Sequence, residues 1–361
     1  MEFVVAFPEF GVPKVDEQKH AGSKKSSKHP RADARHVVGA HSPRHSVTLC
    51  VWPDATTGKT FAIKCIRRHD LDAKHMEFLG QEIDFLKMLN HPHIISLEAV
   101  YVDREGVYLV TEYMAGGELF DRIVEEAYYC EDEARKIVRV LLEALKYCHD
   151  QHVVHRDLKP ENLFLASPTD NTTLKMGDFG FAAYAPEPTL RGTCGTPSYV
   201  APEIIAGQPY GKPIDVWSLG VITFILLCGS PPFHGSTHIE LYSSIRRGVY
   251  ECPKDLSTDA QDVLAKMLVV EPTGRSTVEQ LLDHPWIASD ASKTPLTRTI
   301  EELHKFNMQR KFRSSVRVIQ AVHTLARSTT PTALMTRPKA SKDAATKRKS
   351  WFQPWRIFSG R

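Results

Sequence analysis

Hydrophobic positions change their period along this chain. Between about 37 and 111 they fall in short β-type runs. Phe61-Ala62-Ile63-Lys64-Cys65-Ile66 follows the turn signal Thr57-Gly58-Lys59, and Val107-Tyr108-Leu109-Val110 is a second run. One helical stretch interrupts them, from about Phe78 to Leu89, with Phe78, Ile83, Phe85, Leu86 and Leu89 in helical register and Asn90-His91-Pro92 as its stop. Beyond Gly116-Gly117 the period is helical. Ile137, Val138, Leu141, Leu142, Leu145 and Tyr147 form one stripe along Glu131 to Gln151. The run from Val216 to Cys228 is apolar but too short to span a bilayer, which predicts a buried core helix. Residues 258–269 and 276–287 predict two more helices around Glu271-Pro272-Thr273-Gly274-Arg275, and a basic stretch after Trp286 holds one amphipathic helix. Residues 1–36, rich in Lys, Ser, His and Pro, show no period and predict disorder, as does the basic tail 327–361. A mostly β first part and a helical second part make the chain α+β.

Composition narrows the picture. With 361 residues, 42% of them hydrophobic, the chain can bury the core of two lobes and still carry tails. The net charge of +3 is small, but basic residues crowd the region after about 293 and Lys24, Lys25 and Lys28. Seven scattered cysteines without a C-x-x-C pair predict reduced thiols in an intracellular protein, against disulfides or a zinc site. The opening Met-Glu-Phe-Val-Val-Ala-Phe lacks the basic flank and long apolar run of a signal peptide. The expectation is a soluble, cytoplasmic protein with no transmembrane segment and no nucleic-acid partner.

Chemistry concentrates in His155-Arg156-Asp157-Leu158-Lys159-Pro160-Glu161-Asn162 and in Asp178-Phe179-Gly180. A carboxylate, a lysine and an amide share one loop, with a second carboxylate a short hairpin later. That set suits attack of a hydroxyl on a metal-bound triphosphate: Asp157 orients the hydroxyl and accepts its proton, while Asn162 and Asp178 offer hard oxygen ligands to Mg2+. On these strings the chain resembles the eukaryotic protein kinases over residues 37–287. The resemblance implies the two-lobed kinase fold, with a small lobe at 37–111, a hinge at 112–115 and a large lobe at 116–287. It also implies ATP and Mg2+ as cofactors. Lys159 would reach the γ-phosphate, and lysine in that loop marks the serine/threonine subgroup. The complete Cys194-Gly195-Thr196-Pro197 to Ala201-Pro202-Glu203 segment argues against a small-molecule kinase.

The resemblance carries further residues. Lys64 in Phe-Ala-Ile-Lys matches the strand lysine that neutralises the α- and β-phosphates, with Glu82 as its helical partner. Ala62, Glu112 and Met114 join the nucleotide-binding set, the last two through hinge backbone groups. The glycine-rich loop departs from the family. Where G-x-G-x-x-G-x-V should stand, the chain has Gly39-Ala40-His41-Ser42-Pro43-Arg44-His45-Ser46-Val47, so Gly39 and Val47 alone match. This leaves open a pseudokinase acting as a regulated binding module. Arg156 resembles the arginine that reads an activation-segment phosphate, with Thr193 and Thr189 as acceptors, although Gly192 occupies the expected acceptor position. Thr196 would pack against Asp157 and Lys159. Glu203 and Arg275 would form a scaffold pair, and Glu118 and Glu161 would select arginine in basophilic protein substrates.

After Trp286, Thr299-Ile300-Glu301-Glu302-Leu303-His304-Lys305-Phe306-Asn307 and Arg310-Lys311-Phe312-Arg313 resemble the regulatory segment of the calcium/calmodulin-dependent kinases. Phe312, Val316, Ile319 and Leu325 fall on one face of a basic helix, the kind of surface calmodulin wraps; a helix docked on the large lobe or on a membrane surface is the alternative. The expectation is an autoregulatory segment at 288–326 with Phe312, Ile319 and Leu325 as calmodulin anchors. Thr299 aligns with a regulatory phosphosite, although Leu296 stands where arginine would be needed upstream.

Overall fold

Strand pairing between Val37 and Glu112 builds the small lobe around Lys64. The strands β1 (Val37–Val38), β2 (Val47–Pro53), β3 (Thr60–Arg67), β4 (Leu97–Val102) and β5 (Gly106–Glu112) form one antiparallel sheet in the order β1-β2-β3-β5-β4. The computed structural model describes residues 37–38, 47–54, 57–126, 129–170, 173–289, 293 and 295–328, with the backbone alone at 37, 38, 47, 48, 297 and 314–328. Alternation in β3 gives its two faces different tasks. Ile63 packs with Cys50, Tyr108 and Val110 in a small core on one face, leaving Ala62 and Lys64 on the other. Register sets Lys64 opposite Leu109 and Ala62 opposite Thr111, at the edge of the hinge.

Helix α1 (Ala73–Met88) follows, capped by the Asp72 carboxylate, which accepts a hydrogen bond from the His75 amide at 2.9 Å. It starts earlier than the apolar spacing implies because its first turn faces solvent. Its inward face also differs from the expected stripe. Leu79, Glu82 and Leu86 are buried while Phe78 is exposed, so the helix phase points a carboxylate at β3.

The large lobe begins with β6 (Gly117–Glu118) and α2 (Leu119–Glu125). Helix α3 (Glu131–Asp150) buries its apolar stripe as expected and leads through β7 (Val153–Val154) into the loop at 155–162. The hairpin β8 (Leu163–Leu165) and β9 (Leu174–Met176) carries the chain to Asp178, and β10 (Ala183–Tyr184) pairs back onto β7. After α4 (Pro202–Ile205), α5 (Pro213–Cys228) runs through the centre of the lobe with nearly every side chain buried. Helices α6 (His238–Arg247) and α7 (Thr258–Met267) close the lobe around it. Buried at the start of α5, Arg275 meets Glu203 of α4 at 2.8 Å and donates to the Pro213 carbonyl.

One expected helix is two. The stretch 276–287 divides into α8 (Val278–Leu282) and α9 (Pro285–Ala288). Pro285 has no N–H to continue a ladder and restricts His284 to an extended backbone, while the His284 ring accepts the Trp286 amide at 3.2 Å. The last helix, α10 (Thr297–Ser328), packs against α2 and α5. Leu303 is buried there, Phe306 meets Phe120 with ring centroids 6.2 Å apart, and Asn307 donates to Asp121 at 2.8 Å. Among the described residues no helix is long and apolar enough to cross a membrane.

Candidate active site

Lys64 and Glu82 meet where β3 faces α1, with Nζ 2.6 Å from Oε1. Burial works to lower the lysine pKa, but Glu82 and then Asp178 outweigh it and hold the ammonium above its ordinary value. Asp178 shows the converse. Burial would raise it, yet Lys64, Lys159 and His155 keep the carboxylate below its usual range. The two groups therefore stay charged and facing.

The loop at 155–162 is fixed from beneath by one carboxylate. Asp215 of α5, fully buried, accepts the His155 amide at 2.8 Å, the Arg156 amide at 2.9 Å and the His149 ring at 3.0 Å. These bonds hold Arg156 at φ 68, and Asp178 stands at φ 60. Both are non-glycine residues in the left-handed region, a cost of about 1–3 kcal/mol each that tertiary bonds must offset. Asp157 is buried. Its Oδ1 accepts from the Thr196 hydroxyl at 2.8 Å and its Oδ2 from the Lys159 ammonium, while its carbonyl accepts from the Asn162 amide nitrogen at 2.9 Å. Thr196 also lies 3.4 Å from the Lys159 ammonium. Gly195 makes this approach feasible: its φ is 94, and a Cβ there would come within 2.8 Å of the Arg156 carbonyl.

The Asn162 amide nitrogen is spent on the loop, and its backbone carbonyl accepts from the Gly177 amide at 2.9 Å, one residue before Asp178. Two hard oxygens with two ammonium groups, Lys64 and Lys159, fit a divalent cation and a polyphosphate. At the hinge, Glu112 is held by Lys175 at 2.8 Å and by the Ser96 amide at 2.7 Å. The Met114 carbonyl is 3.1 Å from the Gly117 amide. Gly39 lies outside the described residues, and Val47 is placed by register opposite Ile66.

The protein kinase domain model matches residues 46–287. Calcium/calmodulin-dependent protein kinase type 1 of Macrobrachium nipponense is 45% identical over 240 residues, covering 65% of this chain and 69% of that protein. The protein of the same name from Caenorhabditis briggsae is 37% identical over 305 residues, covering 82% and 85%. Myosin light chain kinase A of Dictyostelium discoideum is 42% identical over 245 residues, covering 66% and 83%. The chain belongs to the protein kinase family. It is a protein serine/threonine kinase of the calcium/calmodulin-dependent group. Nothing in the formed Lys64–Glu82 pair or in these relatives supports the pseudokinase alternative.

The kinase brings Glu118 and Glu161 together around a cation from its own C-terminal helix. The Arg310 guanidinium lies 2.7 Å from Glu118, 3.7 Å from Asp121 and 3.9 Å from Glu161, and Lys311 pairs with Asp121 at 2.8 Å. Burial raises the Glu118 carboxyl above its ordinary value, against the pull of Arg310. Sequence reasoning missed Asp121 and placed Arg310 only among the basic residues decorating the helix. The available signal was the helical spacing of Asp121 from Glu118. Arg156 donates to the Phe181 and Ala182 carbonyls and to the Tyr210 hydroxyl. Thr193 is exposed, and Thr299 is buried with its hydroxyl donating to the Leu227 carbonyl at 2.8 Å. Phe312 is 71% exposed, as Met308 is at 72%. Ile319 and Leu325 lie in α10, their side chains outside those described.

Proposed function

We propose that this kinase transfers the γ-phosphoryl group of Mg-ATP to serine or threonine in basophilic protein substrates, and that α10 blocks them until calcium-loaded calmodulin removes it. In this reading Asn162 and Asp178 hold Mg2+, which supplies charge neutralisation for the phosphates when bound. Lys64, oriented by Glu82, holds the α- and β-phosphates. Hinge backbone groups of Glu112 and Met114 hold the adenine, with Ala62 and Val47 beside it. Asp157 orients the acceptor hydroxyl and takes its proton, and Lys159 lies against the transferring group. Glu118 and Glu161 take an arginine upstream of the acceptor.

The observation that carries the regulatory part is the seat of Arg310. An arginine from the chain itself fills the carboxylate cluster that a substrate arginine would need. The helix also leaves Met308 and Phe312 uncovered on its outer side, which gives calmodulin an apolar hold without prior release. The names of the relatives agree with calmodulin as the partner. Seven free thiols suit an intracellular, cytoplasmic setting.

The test is phosphate transfer from Mg-ATP to a serine peptide with arginine three residues upstream, with and without calcium/calmodulin, using Asp157→Asn as blank. Transfer that rises with calcium/calmodulin, and high basal transfer once residues after 290 are removed, are the expected results. Unchanged basal transfer on truncation, with indifference to calmodulin, would overturn the autoinhibitory reading. No transfer and no ATP binding would restore the pseudokinase.

A further inference from the structure

Tyr210 belongs to no motif, yet it is buried and joins three parts of the large lobe. Its backbone makes an isolated antiparallel bridge with Leu190 of the activation segment, with N···O distances of 3.1 and 2.9 Å. Its hydroxyl lies 3.4 Å from Arg156 Nη1 and 3.4 Å from Cys194 Sγ. Arg156 can only donate, so the hydroxyl accepts from it, and either the hydroxyl or the thiol donates across the contact with Cys194. The result is a hydrogen-bonded chain linking Arg156, Tyr210 and Cys194. Burial, then the thiol beside it, pushes the phenol up to about 12, so the hydroxyl keeps its proton through the physiological range.

This chain ends at the reacting groups. Arg156 immediately precedes Asp157, and Cys194 lies two residues before Thr196, whose hydroxyl holds Asp157 from the other side. Nε and Nη2 of the same guanidinium donate to the Phe181 and Ala182 carbonyls. The segment's own candidate acceptors do not take part: Thr189 bonds back to the Glu187 carbonyl at 3.4 Å, and Thr193 points to solvent.

We infer that Tyr210 is a positioning residue for phosphoryl transfer, bracketing the activation segment onto Arg156 and so placing Asp157 and Thr196 without a phosphate on the segment. The inference rests on the assignment of Asp157 to the transfer step. It does not depend on calmodulin.

The test uses the full chain, with each variant compared with the unaltered protein both with and without calcium/calmodulin. Tyr210→Phe, which keeps the ring, is expected to lower kcat about tenfold, equivalent to about 1.4 kcal/mol, with KM for ATP changed less than about twofold. On an Arg156→Gln background the same substitution should cost less than about twofold more, because the hydroxyl acts through that arginine. Amide exchange at Leu190 to Thr196 should quicken in Tyr210→Phe, a reading of the bracket that needs no turnover. Phosphatase treatment of the unaltered protein should leave kcat unchanged. Full kcat in Tyr210→Phe, additive losses in the double variant, unchanged exchange at 190–196, or activity abolished by phosphatase would each overturn the proposal. A Tyr210→Phe protein that fails to fold would assign the hydroxyl to stability and do the same. Absence of transfer by the unaltered protein would instead strike the assignment of Asp157, leaving the exchange measurement to judge the bracket.

Discussion

Arg310 and Glu118 sit 2.7 Å apart although 192 residues separate them in the chain (310 less 118), and Arg310 is almost wholly enclosed, with 8% of its side chain exposed. Charge-assisted hydrogen bonds of this kind contribute about 1.5–3 kcal/mol, reduced here because Glu118 is 35% exposed. Arg310→Ala should therefore raise calmodulin-free activity about tenfold. Glu118→Gln should raise it too, while increasing KM for an arginine-bearing peptide and leaving KM for ATP unchanged. Steady-state kinetics with peptide and ATP varied separately will check both; an Arg310→Ala protein as quiet as the original would break the link.

Gly229 ends α5 at φ 80 and lies under the start of α10. A Cβ there would come within 2.6 Å of the Thr299 carbonyl and 2.5 Å of the Glu302 Cβ. Gly229→Ala should push α10 off the lobe, raising basal activity and speeding amide exchange at 299–307. The substitution also strains a left-handed position, so melting should fall by a few degrees, about 1 kcal/mol.

The Glu203–Arg275 pair is enclosed completely and shares the guanidinium with the Pro213 and Val269 carbonyls. Removing one partner leaves the other charge buried, at a cost of about 3–5 kcal/mol. Glu203→Gln and Arg275→Met should each lower the melting temperature sharply. Their combination should cost far less than the sum of the two, which a double-mutant cycle by denaturant unfolding will measure.

Asp132 gives the fold an acid dependence. Burial raises its carboxyl, but hydrogen bonds from Lys136 and Arg135 prevail and hold it down to about 2, below the ordinary 3.8. A depressed carboxylate stabilises the fold fully above its unfolded value, and that stability disappears as pH falls through the folded value. About 2 kcal/mol should be lost between roughly pH 5 and pH 2. Asp132→Asn should flatten the stability curve in that window, read by urea unfolding at stepped pH.

Much of this was legible because the determinants are local. The strings at 155–162 and 178–180 fold as contiguous pieces, and the apolar stripe of α3 is long enough to fix its own phase. Glu82 was legible at one remove, through the spacing of a helix opposite β3. The apolar spacing misled at Phe78, which is exposed because the phase is set by Leu79 and Leu86 against the core. It misled again at 276–287, where a missing N–H at Pro285 outweighed periodicity. Long-range contacts outside the recognised strings were harder to read. Asp121 was signalled only by its spacing from Glu118, and Lys175 and Tyr210 became visible only once helix and strand packing placed their partners.

The suspension of the catalytic loop from Asp215 separates two kinds of motion. Asp215 belongs to α5, which is almost entirely buried among the described residues, so release of the His155 and Arg156 amides it holds should require the large lobe to open. The α10 helix follows the last helix of the lobe in the chain and adds Leu303 and Phe306 to the edge of its core, well away from the Asp215 bonds in sequence. If α10 acts as the proposed switch, it should open and close many times within the lifetime of one folded state, with the catalytic loop left in place between openings.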